Sequence, residues 1–175
     1  GAKVAIVGQQ LKKAEQVAEA IRATGGQAIG IAADVLDQAS LRQARERVQE
    51  AFGPCDILIN GAGGNHPQGT TSKPHLHPAD LEQDQELITF FDLDPQGIQF
   101  VFNLNFIGTL LPTQVFTRDM VGRRGCSVIN MSSMSAFAPL SKIPAYSAAK
   151  AAVSNFTQWL AVHLAQEYSP KLRVN

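Results

Sequence analysis

Ile57-Leu58-Ile59-Asn60-Gly61-Ala62-Gly63-Gly64 is the stretch that decides the fold. Three aliphatic residues in a row make a short, continuously apolar strand, the kind found in a parallel sheet covered on both faces. The strand runs directly into a Gly-rich turn. Upstream, Ser40 to Phe52 is predicted helical, with Leu41, Ala44, Val48 and Phe52 on one face and Gly53-Pro54 as the break. Before that, Lys3 to Val7 reads as a strand ending at Gly8, Leu11 to Ala23 as a helix stopped by Gly25-Gly26, and Ala28 to Ala33 as a strand ending at Asp34-Val35. Downstream, a polar stretch from Asn65 to Pro95 leads to an apolar helix, Gln99 to Val121, with a kink expected at Pro112. Cys126 to Met131 is a strand, Ser132 to Ile143 a loop, Pro144 to Gln166 a helix and Leu172 to Val174 a last strand. Strands alternating with helices predict an α/β, Rossmann-like, doubly wound parallel sheet, read as one domain over residues 1–175. Ligands of such sheets bind beyond the carboxyl ends of the strands. Those ends are Gly8, Asp34, Asn60 and Ser132-Ser133.

The chain has 175 residues, 45% of them apolar, enough for a sizeable core and too many for a disordered chain. Fifteen Lys and Arg balance fifteen Asp and Glu, so no electrostatic feature suggests nucleic acid or an anionic membrane as a partner. No apolar run reaches the roughly 20 residues of a membrane span. Two cysteines, Cys55 and Cys126, are too few for a disulfide framework and read as thiols of a reducing compartment, the cytoplasm. His75 and His77 lack a clear third ligand, so no metal is expected.

Tyr146 and Lys150 stand four residues apart on a predicted helix and share a face. A phenol ordinarily loses its proton near pH 10, and a neighbouring ammonium favours the phenolate. The pair can therefore move a proton to or from an alcohol or carbonyl oxygen. Ser133 lies just past a strand end, thirteen positions before Tyr146, where its hydroxyl could hold the same oxygen. Taken alone, a Tyr/Lys pair at this spacing is equally a surface contact.

The surrounding motifs select between these readings. Asn60-Gly61-Ala62-Gly63 after a strand, Asn105-Phe106-Ile107-Gly108 in a helix, Ser132-Ser133 after a strand and Tyr146-Ser147-Ala148-Ala149-Lys150 occur in this order. The sequence resembles the short-chain dehydrogenase/reductase family over essentially its whole length. The resemblance implies an NAD(P)-dependent oxidoreductase that exchanges a hydride between nicotinamide and a secondary alcohol or ketone. It implies Tyr146 as general acid/base, Lys150 as its activator and a ligand of the nicotinamide ribose, and Ser133 as the group that polarises the substrate oxygen. Asn105 would hold a water in the proton relay; Asn103 lacks the Gly three residues on that Asn105 has in Gly108. For the cofactor it implies Gly8, Gln9, Asp34 (to the adenine amino group), Val35, and Asn60, Gly61, Ala62 and Gly63 against the ribose and nicotinamide.

The sequence also departs from the family. The phosphate-binding loop Thr-Gly-x-x-x-Gly-x-Gly is absent, with the first strand that precedes it and the segment that follows Asn175. Either the chain is part of a longer enzyme, or Lys3 to Val7 has taken the central place in the sheet and Gly8-Gln9-Gln10 serves as a phosphate turn. At the end of the second family strand, Gly8 supplies no carboxylate for a ribose 2′-hydroxyl, and Lys12 and Lys13 lie close by. This tips the expected coenzyme toward NADP over NAD. Gly61 replaces the second Asn of the family's Asn-Asn-Ala-Gly. Asn65 and His66, beside the expected nicotinamide site, are candidate ligands of a polyol or carboxylate, with Ser133 and Tyr146 completing the substrate site. That segment resembles the D-mannonate oxidoreductase (fructuronate reductase) type of the family, which implies a small-molecule sugar acid as substrate. The alternatives are a reductase of 3-ketoacyl or polyol substrates, or a non-catalytic nucleotide-binding scaffold. Phe100, Phe106, Leu110, Phe116, Phe156, Trp159 and Leu160 exceed what one sheet face can cover, and His163 reads as packed or interfacial. The apolar surplus predicts a homo-oligomer, a dimer or homotetramer.

Overall fold

Lys3–Gly8 forms β1 and Gln27–Ala32 forms β2, parallel and in register from Lys3 opposite Gln27 to Gly8 opposite Ala32. The computed structural model describes residues 1–83 and 86–175. Helix α1, Leu11–Ala23, crosses from β1 to β2 and buries the small residues Ala14 and Ala18. Small side chains let it approach so closely that a Cβ on Gly30 would lie 2.5 Å from the Glu15 backbone nitrogen. Helix α2, Gln38–Phe52, starts two residues earlier than its apolar pattern suggests. The Asp37 carboxylate is the reason, since it accepts the Ala39 N–H at 2.8 Å and satisfies a free amino-terminal donor.

β3 (Ile57–Asn60), β4 (Ser127–Asn130) and β5 (Arg173–Val174) form a second parallel group, with Asn60 opposite Asn130. The α/β fold of parallel strands expected from the sequence is present, without the family's central first strand. Among the described residues the strand orders are β1-β2 and β3-β4-β5, without hydrogen bonds between the two. β1 pairs with β2 alone, so it has not moved into the central place. The consequence is visible on β3, where Ile57 and Ile59 are 56% and 61% exposed. Residues patterned for burial on both sides are covered on one.

The two groups share a core. Ile31, Ala33, Leu41, Ala44 and Val48 pack with Val115 and Phe116, and with the half-buried Leu58 of β3. A second cluster joins Val128, Leu172 and Val174 to Leu160 and Leu164 of the long helix α6, Pro144–Glu167. Phe116 and Leu160 thus belong to the core and leave the set of surplus apolar residues, whereas Trp159 stays 56% exposed.

The polar stretch carries short elements: a 3-10 turn at Pro67–Gly69, helix α3 at Pro78–Gln83, and a second 3-10 turn at Phe90–Asp92 closed by a Thr89/Asp92 capping box. The single helix expected from Gln99 to Val121 is four pieces. These are α4 (Pro95–Phe102), a π-helical turn (Asn103–Ile107), α5 (Gly108–Phe116) and a 3-10 turn (Thr117–Met120). Pro112 lies inside α5 and has no N–H for the Gly108 carbonyl. The wide turn sits directly before Gly108. It is also where Thr109 Oγ1 bonds the Asn105 carbonyl at 2.8 Å, the first rung of a ladder continued by Thr113 and Thr117. Among the described residues no helix is long and apolar enough to cross a membrane.

Candidate active site

β4 delivers Met131, Ser132 and Ser133 to the sheet's carboxyl end, and the first turns of α6 bring Tyr146 and Lys150 beside them. Lys150 is only 4% exposed. Its Nζ donates to the Met131 carbonyl at 2.7 Å and lies 5.7 Å from the Tyr146 ring centroid. Burial holds this ammonium below the ordinary lysine range. Ser132 and Ser154, with hydroxyl oxygens 2.6 Å apart, both reach the Lys150 carbonyl and strap the exit of β4 to α6. Ser133, extended at φ −153° and ψ 153°, caps the 3-10 turn Met134–Ala136. Its Oγ accepts from the Ser135 N–H at 3.2 Å and from the Ser135 hydroxyl at 3.0 Å.

Asn105 is fully buried in the π-helical turn. Its amide nitrogen donates to the carbonyls of Gly64 (2.7 Å) and Val101 (2.8 Å), and its Oδ1 accepts the Gly64 N–H at 3.2 Å. The side chain therefore clamps the loop after β3 onto the helix. A relay water would have only its remaining Oδ1 lone pair or its backbone. The clamp also explains Gly63: a Cβ there would stand 2.7 Å from Asn105 Oδ1 and 3.1 Å from Lys150 Nζ. The loop can approach the Lys150 ammonium only without a side chain.

Gly8, Gln9, Val35 and Ala62 line a cavity of about 420 Å3, together with Lys13 and Leu104. Asp34 is reached through Gln9, whose Nε2 donates to its carboxylate at 3.2 Å; Asp34 also accepts the Leu36 N–H at 2.9 Å. Gly61 and Gly8 have open space where a Cβ would be. Asn60 is placed differently from its partners in the motif. Its amide turns inward to Thr113 Oγ1 and Asn130 Oδ1, both at 2.8 Å, so only its backbone can face a ligand. The cavity thus joins the turn into α1 at Gly8-Gln9-Gln10 to the loop after β3 at Ala62, and the neighbouring Gly63 lies against Lys150 Nζ. Among the described residues no group of three or more His, Cys, Asp and Glu is placed to hold a metal ion.

The short-chain dehydrogenase family model matches residues 1–175. The chain belongs to this family. A Haemophilus influenzae protein named an uncharacterized oxidoreductase is 52% identical to this chain over 165 residues, 94% of this chain and 57% of that one. A crystal structure of a provisionally named D-mannonate oxidoreductase from the same species, with bound NAD, superimposes with a TM-score of 0.92 at 50% identity, covering 99% of this chain and 60% of that one. An NADPH-bound short-chain oxidoreductase from Pseudomonas aeruginosa shares the fold, with a TM-score of 0.81 at 24% identity over all of this chain and 60% of that one. The chain thus spans about three fifths of the length of these relatives.

Asn65 and His66 follow Gly64 in the loop after β3. Asn65 Nδ2 donates to Thr70 Oγ1 at 2.7 Å. The His66 Nδ1 accepts the Gln68 N–H at 3.3 Å, and its ring meets Phe100 at 4.8 Å. Both side chains are therefore held in place by their own loop. The residues that sequence reasoning passed over are Ser135, Ser154, Thr109 and Thr113. Their signals were present: Ser-x-Ser is the spacing of a self-capped turn, and Thr at every fourth position of an apolar helix marks carbonyl back-bonding.

Proposed function

We propose that the protein carrying this chain reduces a ketone to a secondary alcohol, and reverses the reaction, on a sugar acid of the D-fructuronate/D-mannonate type. A bound nicotinamide supplies or accepts the hydride. During reduction Tyr146 protonates the carbonyl oxygen, and during oxidation it removes the alcohol proton. Lys150, fixed by the Met131 carbonyl, holds positive charge beside Tyr146 and would bind a ribose hydroxyl of the coenzyme. Ser133 donates to the substrate oxygen. Asn105 holds the Gly63-Gly64 backbone against the nicotinamide side, and Gly8, Gln9, Asp34, Val35 and Ala62 hold the adenosine half. Asn65 and His66 face the carboxylate and hydroxyls of the substrate.

The observation that supports this reading is the buried Lys150 ammonium, 5.7 Å from the Tyr146 ring and bonded to the carbonyl of Met131, two residues before Ser133. The sugar-acid substrate is supported by the relative with bound NAD at 50% identity. That relative favours NAD, whereas Gly8 and the nearby Lys13 favour NADP, so the coenzyme is read as either. Trp159, stacked on His163 at 4.7 Å, lies with Phe156 and Leu110 in a groove of about 850 Å3, which supports a second copy of the chain as its cover. The free thiols of Cys55 and Cys126 accord with the cytoplasm.

The test is turnover of D-fructuronate by the whole protein with NADH and, separately, NADPH, for the native enzyme and Tyr146→Phe. The expected result is turnover by the native enzyme, near-complete loss in the variant and retained coenzyme binding by fluorescence titration. Unchanged turnover in the variant would end the proton-transfer role, and turnover of other ketones alone would end the sugar-acid assignment.

A further inference from the structure

Ser133 Oγ accepts two hydrogen bonds from one residue: the Ser135 N–H at 3.2 Å and the Ser135 hydroxyl at 3.0 Å. A serine hydroxyl offers two lone pairs and one proton. Both lone pairs of Ser133 are taken, so its only free capacity is as a donor. Ser135 is 1% exposed, and the Ser133 oxygen is its hydroxyl's only hydrogen-bond partner among the described residues. Ser133 itself is half-buried at the sheet's carboxyl end.

We infer that Ser135 is a positioning residue: it occupies the acceptor capacity of Ser133 and leaves that hydroxyl's proton for the substrate oxygen. Without the Ser135 hydroxyl, one lone pair of Ser133 is free. Ser133 can then rotate and accept from water or from a substrate hydroxyl, and the ordered donor is lost for part of the time. Polarising a ketone oxygen requires a donor that is in place before the reaction begins. This inference rests on the reading of Ser133 as the donor to the substrate oxygen.

The experiment is ketone reduction by the whole protein in a cycle of Ser133→Ala, Ser135→Ala and the double variant, with Ser135→Cys as a near-isosteric weak donor. Ser135→Ala keeps the N–H bond that caps the turn. It is expected to lower kcat about tenfold, less than the loss of a whole oxyanion donor, with the coenzyme Kd unchanged. Ser135→Cys should fall between it and the native enzyme. In the Ser133→Ala background, Ser135→Ala should cost nothing further, because there is no hydroxyl left to orient. A kcat within twofold of native in Ser135→Ala, or the same tenfold loss with Ser133 already removed, overturns the inference. If Ser133→Ala itself leaves kcat unchanged, the reading of Ser133 fails first, and the two failures are told apart by that single variant. Should Ser135→Ala not fold, the Ser135→Cys pair with and without Ser133 gives the same comparison.

Discussion

Lys150 Nζ lies 2.7 Å from the carbonyl oxygen of Met131, the residue that follows the end of β4. A charge only 4% exposed is thereby tied to the backbone of a strand end nineteen residues away in sequence. The bond partly offsets the cost of desolvating the ammonium and sets its place beside Tyr146.

That arrangement has a pH signature. Burial lowers the Lys150 pKa in the folded chain beneath the 10.5 of the unfolded one. Between those two values the unfolded chain holds more protons, so this residue's contribution makes stability rise with pH through that window. Lys150→Met should remove the rise and abolish turnover. The check is urea unfolding at a series of pH values from neutral to alkaline, native against variant; parallel curves would refute it.

Cys55 acts in the opposite sense. Burial pushes its thiol up to about 11, and its Sγ donates to the Ile57 carbonyl at 3.2 Å. The unfolded chain loses the thiol proton first, so stability falls as pH rises past the ordinary thiol value of 9.0. At pH 8 its reaction with an aromatic disulfide reagent should be slower than that of free cysteine by on the order of a hundredfold. A rate equal to that of free cysteine would contradict the burial.

Gly63→Ala places a methyl 2.7 Å from Asn105 Oδ1 and 3.1 Å from Lys150 Nζ. Asn105 cannot yield easily, because its amide is bonded to Gly64 and Val101. The expected outcome is a weaker coenzyme Kd and a loss of kcat of about a hundredfold, the scale of a displaced catalytic group. Titration and steady-state rates measure both.

Asn60→Ala removes two buried donations at 2.8 Å and leaves Asn130 Oδ1 without that partner. The cost should be about 1–3 kcal/mol of stability, the penalty of an unsatisfied buried acceptor. Denaturant unfolding gives the value. A change confined to coenzyme affinity, with stability intact, would show instead that the side chain faces the ligand.

Much of the fold was legible because its signals are local. Helix α1 begins and ends where the spacing of Leu11, Ala14 and Ala18 and the Gly25-Gly26 stop place it. Proline and an apolar pattern likewise placed α6. The sequence marks the kink at Pro112 but not the π-helical turn at Asn103–Ile107, which leaves no trace in apolar periodicity. It follows from the Thr109 hydroxyl taking the Asn105 carbonyl and from Pro112 declining the one at Gly108. The gap between the two strand groups follows from the absent central strand, and the exact pairing within each group does not. Hydrophobic runs report that a strand is meant to be covered, but not which strand lies next to it.

The sequence by itself determined the alternation of strands and helices, the placement of Asn60, Ser133, Tyr146 and Lys150 at strand ends and a helix start, and thereby the family. Each of these is written within a window of a few residues, where periodicity and glycine or proline breaks act. Only the tertiary structure decided that Asn60 turns inward to Thr113, that Asn105 clamps Gly64, and that Ser135 takes both lone pairs of Ser133. The first two join groups 53 and 41 residues apart, so they depend on how separate elements settle against one another. The third is close in sequence, but which hydroxyl donates is fixed by burial, and burial belongs to the folded chain.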